Sequence, residues 1–212
     1  MNFDWVGLIV VIVVVVFSIS LHELAHGVMA YWLGDNTAKD AGRLTLNPIA
    51  NVDPYMSIIV PVLLYLLGGP VFGGAKPVPV NFRNLKWKEW GMAIVAFAGP
   101  FVNFLLALIS FLIGHFTGII YGDDFWSTIF TQLVFTNLGF MLFNLIPIPP
   151  LDGSRILYTL APDAVRRIMD RIEAYGIVLV YILILIFSEL LSGFMVGGMN
   201  LVLSFFYFLV GM

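Results

Sequence analysis

Residues 5–33 read WVGLIVVIVVVVFSISLHELAHGVMAYWL. As a helix rising 1.5 Å per residue, the stretch reaches about 43 Å, enough to cross a hydrocarbon core of about 30 Å and protrude. Within it lies His22-Glu23-Leu24-Ala25-His26. Positions i and i+4 share one face of a helix, so both imidazoles can reach a single zinc ion. Glu23 then sits where a carboxylate can take a proton from a water at the metal. His22 falls about 26 Å along the helix from Trp5, in the far third of a bilayer. Ionisable side chains inside a membrane are costly, on the order of 2.5–3.5 kcal/mol each near the centre. Three of them in one spanning helix therefore need partners or a task.

The composition says the same of the whole chain. Its 212 residues are 60% hydrophobic and only 11% charged, against about 25% charged in soluble domains. This is an integral membrane protein. No cysteine is present, which excludes disulfides and thiolate ligands and leaves His, Asp and Glu for any metal site. The N-terminus lacks the basic residues and small-residue cleavage site of a cleavable signal. The lipid bilayer is the expected surroundings, and nothing in the sequence points to nucleic acid.

Further apolar stretches run from Met92 to about Gly118, from Phe125 to Ile146 and from Tyr175 to Val210. The last holds either one span plus an in-plane tail or two spans. Tyr55 to Leu67, broken by Pro61 and closed by Gly68-Gly69-Pro70, is short and interrupted. Alternation in Arg43-Leu44-Thr45-Leu46 fits a short strand, one arm of a hairpin. All ten Lys and Arg fall in three loops, around 39–43, 76–88 and 155–171. The positive-inside rule places these loops in the cytoplasm. Residues 55–70 then cannot cross once between two loops on the same side, and we read them as a re-entrant or interfacial segment. The N-terminus and the Asp123-Asp124 turn are external, and the histidine pair lies toward the cytoplasmic face of the cell (inner) membrane. The expected fold is an all-α polytopic membrane protein. It has about four to five transmembrane helices around an intramembrane zinc site, with a short cytoplasmic-side hairpin. We take 1–212 as one domain, with a catalytic core over about 5–160 and C-terminal helices over 172–212.

A catalytic zinc needs at least three protein ligands and one open position. His115 lies at the wrong end of its span, and Glu89, Glu173 and Glu189 flank or enter other stretches. Asp152 fits best. It follows a helix that also runs from outside to inside, and Pro147, Pro149 and Pro150 end that helix at the depth of His22 and His26.

These residues carry a resemblance. His22-Glu23-Leu24-Ala25-His26-Gly27, Gly99-Pro100-Phe101-Val102-Asn103 and the stretch Asn144-Leu-Ile-Pro-Ile-Pro-Pro-Leu-Asp152-Gly153 together resemble the site-2 protease family of intramembrane zinc metallopeptidases. The likeness covers roughly residues 15 to 160, and its branch is the compact bacterial and archaeal type without PDZ or CBS domains. The resemblance implies one Zn2+ per chain, held by His22, His26 and Asp152, with Glu23 as general base. It also implies that Asn144 lies near the reacting carbonyl and that Asn103 serves the substrate site. The implied substrate is a membrane protein cut in or near a transmembrane helix. Position 51, often His in similar proteins, is Asn here. The competing reading is a membrane metal-ion transporter or channel, since intramembrane His, Asp and Glu also line ion pathways. That reading needs ligands spread across the membrane, and here they cluster at one depth.

Overall fold

Valine is a modest helix former because its branched side chain loses χ1 freedom against the preceding turn. In lipid that preference is overruled, since every unpaired backbone N–H and C=O costs several kcal/mol. The valine-rich run accordingly forms one uninterrupted helix. The computed structural model describes residues 5–47, 53–66 and 76–212. Asn51, the Gly68-Gly69-Pro70 break and Phe72–Ala75 lie outside the described residues.

In chain order the helices are α1 (Trp5–Trp32), α2 (Thr37–Asp40), α3 (Val60–Leu66), α4 (Glu89–Phe116) and α5 (Phe125–Asn144). They are followed by α6 (Asp152–Leu160), α7 (Asp163–Glu173), α8 (Ile177–Ile186) and α9 (Ser188–Leu209). Four of these, α1, α4, α5 and α9, are long and apolar enough to cross a membrane. Helix α4 is central, packed against α1, α5 and α6. Its faces bury Val95 and Met92 with Ala30 and Leu85 near one end, and Ala107 and Phe111 with Val134 and Leu138 near the other. Helix α9 docks on α5 late in the chain, placing Phe206 against Phe104 and Phe111. Its Gly198 lies against the Leu142 side chain. With no hydrophobic force between helices in lipid, such small residues at contacts let packing act. The outward side chains Ile9, Val13, Ile94, Phe97, Ile109 and Ile113 are exposed and apolar, as a lipid-facing surface requires.

The all-helical expectation is met, and three details differ from it or refine it. No strand forms among the described residues. The segment Arg43–Leu46, expected as a hairpin arm, is irregular, and its Arg43 Nη2 donates to the carbonyl of Lys76 at 2.8 Å. Arg43 N donates to the Ala38 carbonyl at 2.9 Å, as in a turn, and four alternating residues outside a sheet do not make a ladder. The described part of the 55–70 segment is a π-helical turn, Pro54–Ile59, continued by α3 and packed on α1. Its 13 residues reach at most about 20 Å, short of a crossing. The final apolar stretch divides at Phe187 into the ten-residue α8 and the 22-residue α9. Only α9 is long enough to cross.

The ends of α1, α4 and α6 are tied by polar contacts. Asp35, fully buried just after α1, accepts hydrogen bonds from Thr37 N and Oγ1, Asn81 N and Asn84 Nδ2 at 2.6–3.2 Å. Lys86 N donates to Leu33 O at 2.8 Å. Arg166 reaches the Glu89 carboxylate at 2.7 Å, and Arg155 pairs with Glu173 while covering the Phe82 ring. These contacts bring the three basic loops together at one end of the bundle. Burial raises the Asp35 carboxyl, but the bonds from Thr37, Asn81 and Asn84 outweigh it and hold the group below the ordinary value of 3.8. The stability it contributes is therefore fully present above 3.8 and is lost as pH falls through the lower folded value. Replacing Asp35 by Ala leaves buried donors unpaired and is expected to destabilise the protein by about 2–4 kcal/mol at neutral pH. Thermal unfolding in detergent, compared at neutral and acid pH, checks both the loss and its disappearance in acid.

Candidate metal centre

One helical turn separates His22 from His26, so α1 presents both imidazoles to the same side, toward α4. The structure brings their Nε2 atoms to 3.0 Å of each other. Asp152, the first residue of α6, completes the cluster, with Oδ2 at 3.1 Å from His22 Nε2 and 3.3 Å from His26 Nε2. The turn between α5 and α6 makes this possible by close packing. Gly153 lies so tightly against the carbonyls of Leu145 and Ile146 that a Cβ there has no room. Gly99 of α4 has the corresponding role beside the histidines. A Cβ on Gly99 would stand 2.5 Å from His26 Nε2 and 2.6 Å from His22 Nε2.

The outer ring nitrogens define the protonation of the inner ones. His26 Nδ1 lies 2.8 Å from the Val95 carbonyl, which can only accept, so Nδ1 carries the proton. His22 Nδ1 lies 2.6 Å from Asn103 Oδ1, likewise an acceptor. With a proton on each Nδ1, both rings turn Nε2 toward the centre. Asp152 Oδ2 adds a third atom, and it is buried with no hydrogen-bond partner. Three potential ligand atoms thus converge within 3.3 Å of one another, an arrangement that a cation can bridge. Tetrahedral zinc, with bonds of about 2.0–2.1 Å to N and O, separates its ligand atoms by roughly 3.3 Å, and the three donors are spaced to match. The donor set therefore fits a divalent metal.

Glu23 stands beside this cluster. Its ligand-type oxygen lies within 4.8 Å of the histidine nitrogens. One carboxylate oxygen, Oε2, accepts from the backbone N–H of Val78 at 2.8 Å. The irregular segment 76–80 thereby meets the carboxylate through Val78. Glu23, the two histidines and Asp152 open into a cavity of about 340 Å³, also lined by Asn144, Pro77, Val80 and Arg155. Asn144 ends α5, and its Nδ2 donates to the Phe140 carbonyl at 3.0 Å. Asn103 lies elsewhere. It is fully buried behind His22 and faces the outer side of that ring, away from the cavity where a substrate-site residue was expected. Gly99, about one turn before Asn103 on α4, is the residue of that stretch that faces the inner Nε2 atoms, while Asn103 meets His22 only at Nδ1.

Sequence reading did not single out the Val78 amide or the packing role of Gly99. Backbone contacts across 55 residues leave no compositional mark. Gly99 stood in a quoted motif, and a glycine inside an apolar span does signal a close approach. A Gly99→Ala variant is expected to push the imidazoles apart and weaken metal binding by about tenfold or more, overpacking of this kind costing about 1–3 kcal/mol. Metal content after dialysis against a graded chelator checks this, with unchanged content refuting the close-contact role.

The model of Peptidase family M50 matches residues 10–121 and 121–188. YwhC of Bacillus subtilis (strain 168), named as a candidate zinc metalloprotease, is 41% identical over 185 residues, which cover 81% of this chain and 78% of the relative. Rip2 of Mycolicibacterium smegmatis (strain ATCC 700084 / mc(2)155), named in the same way, is 32% identical over 188 residues, 86% of this chain and 69% of the relative. No solved structure matches significantly. An α-helical membrane chain with a His-Glu-x-x-His helix, matched over most of its length by the family model, belongs to Peptidase family M50.

Proposed function

We propose that the chain is an intramembrane zinc metalloendopeptidase that hydrolyses peptide bonds in or near transmembrane segments of membrane proteins. The observation that carries the reading is the convergence of His22 Nε2, His26 Nε2 and Asp152 Oδ2, 3.0–3.3 Å apart, beside a carboxylate in a cavity among apolar helices. One zinc per chain is held by His22, His26 and Asp152. A zinc ion held there would supply Lewis acidity, making water more acidic and a peptide carbonyl more electrophilic.

The chain's own groups do the rest. Val78 N–H fixes one oxygen of Glu23, leaving the other to accept the proton of the attacking water and return it to the leaving amine. Asn144 commits one amide hydrogen to Phe140 O and offers the second to the developing oxyanion. The cavity is too small for an intact helix of about 10 Å diameter, so the substrate must enter locally unwound. Convergence of the basic loops at the site end supports a cytoplasmic-side active site in the cell membrane, by the positive-inside rule. The transport reading is less well supported, because the ionisable groups gather at one end instead of lining a path.

A Glu23→Gln variant keeps the shape of the side chain and removes its basicity. It is expected to retain zinc while cleavage of a model membrane substrate falls about 10²–10⁴-fold. Asp152→Ala is expected to lose zinc as well as cleavage. Undiminished cleavage by Glu23→Gln in reconstituted bilayers refutes the base assignment, and full zinc content in Asp152→Ala refutes the ligand set.

A further inference from the structure

Behind His22 a line of buried polar side chains continues away from the cavity. Asn103 Nδ2 donates to Asn137 Oδ1 at 2.8 Å. Asn137 Nδ2 in turn donates to Ser18 Oγ at 2.9 Å and to the Leu133 carbonyl at 2.8 Å. Ser18, Asn103 and Asn137 are fully buried, and they come from α1, α4 and α5. Polar groups so placed in an apolar bundle are expensive unless they are fully paired or serve the site.

The direction of this line is not arbitrary. An amide side chain has one accepting and one donating end, and either orientation is sterically similar. The Leu133 carbonyl can only accept, so the NH2 end of Asn137 must face it. The oxygen end of Asn137 then faces Asn103 and demands a donor, which turns the NH2 end of Asn103 toward it. Asn103 is left presenting its oxygen to His22, and that oxygen demands a proton on Nδ1. The lone pair of His22 is thereby held on Nε2, the nitrogen 3.1 Å from Asp152 Oδ2. A backbone carbonyl on α5 thus sets the tautomer of a ring on α1 through two amides. His26 needs no such relay, because Val95 O meets its Nδ1 directly.

We propose that Asn137, oriented by the Leu133 carbonyl and Ser18, is a positioning residue that fixes, through Asn103, the ring nitrogen His22 turns toward the metal. This rests on the zinc-site reading above, and outer partners of metal-binding imidazoles typically contribute about 10–100-fold in affinity. Asn137 is legible as a signal in the sequence, as an amide inside the apolar span Phe125–Ile146. Its partner is not.

Two variants of the full chain in detergent test the relay, read by chelator competition for zinc and by exchange of the imidazole N–H protons in 15N-histidine NMR of the zinc-loaded protein. Asn137→Leu is expected to weaken zinc binding about tenfold and to speed exchange of the His22 Nδ1 proton, leaving the His26 proton as it was. The double variant Asn103→Asp with Asn137→Leu is expected to regain the affinity, since a carboxylate can only accept and needs no relay to orient it. Wild-type affinity and exchange in Asn137→Leu overturns the relay while leaving the zinc site standing, as does a double variant no tighter than Asn137→Leu alone. Failure of the wild-type chain to bind zinc overturns the site and the relay together.

Discussion

Two imidazole nitrogens and a carboxylate oxygen are held within 3.3 Å of one another among apolar helices, and most of the molecule serves that approach. Like-polarity atoms at this separation repel, and low surrounding dielectric magnifies the effect. The repulsion has to be met in two ways. Backbone must come close enough to press the rings together, which requires glycine at 99 and 153. Each ring must also be anchored on its outer edge by an acceptor, Val95 O for His26 and Asn103 Oδ1 for His22. Removing an anchor frees the ring to turn its proton inward, and the cluster then no longer presents three donors to a cation.

The two ends of the bundle are built by different physics. At the far end the helices meet through aromatic and aliphatic packing around Phe111, Leu138 and Phe206. At the site end the connections are polar and largely through backbone. Asp35 clamps the 81–84 turn, Arg43 holds Lys76 O, Thr159 reaches Glu89 O at 2.9 Å, and Arg166 pairs with Glu89. This lattice sets the height of residues 76–80, and so the meeting of Val78 N–H with Glu23. In the apolar middle the buried amides of Asn103 and Asn137 are paired with each other and with Ser18 and the Leu133 carbonyl.

What was readable in the residues follows from what lipid forbids. A 29-residue apolar run has no alternative to a helix in a membrane, so α1 and the common face of His22 and His26 were determined together. Confinement of every Lys and Arg to three loops placed the end of α5 beside the histidines, which made Asp152 the natural third donor. The division of the last stretch at Phe187 was not readable, because Leu, Ile and Val favour no particular break. The strand expected at Arg43–Leu46 was a period-two accident in a segment held by side-chain contacts instead.

The sequence by itself determined the class of molecule, the face of α1 that carries the histidines and the chemistry of the donors, because composition, helical period and side-chain type are local properties. Tertiary structure decided which nitrogen each histidine turns inward. It also decided that Val78 meets Glu23 and that Asn103 stands behind the ring instead of in the cavity. Those relations link residues tens of positions apart, 81 of them between His22 and Asn103. They exist only once α1, α4 and α5 have packed, since an amide or an imidazole has no preferred orientation until a neighbour fixes where its hydrogen must go.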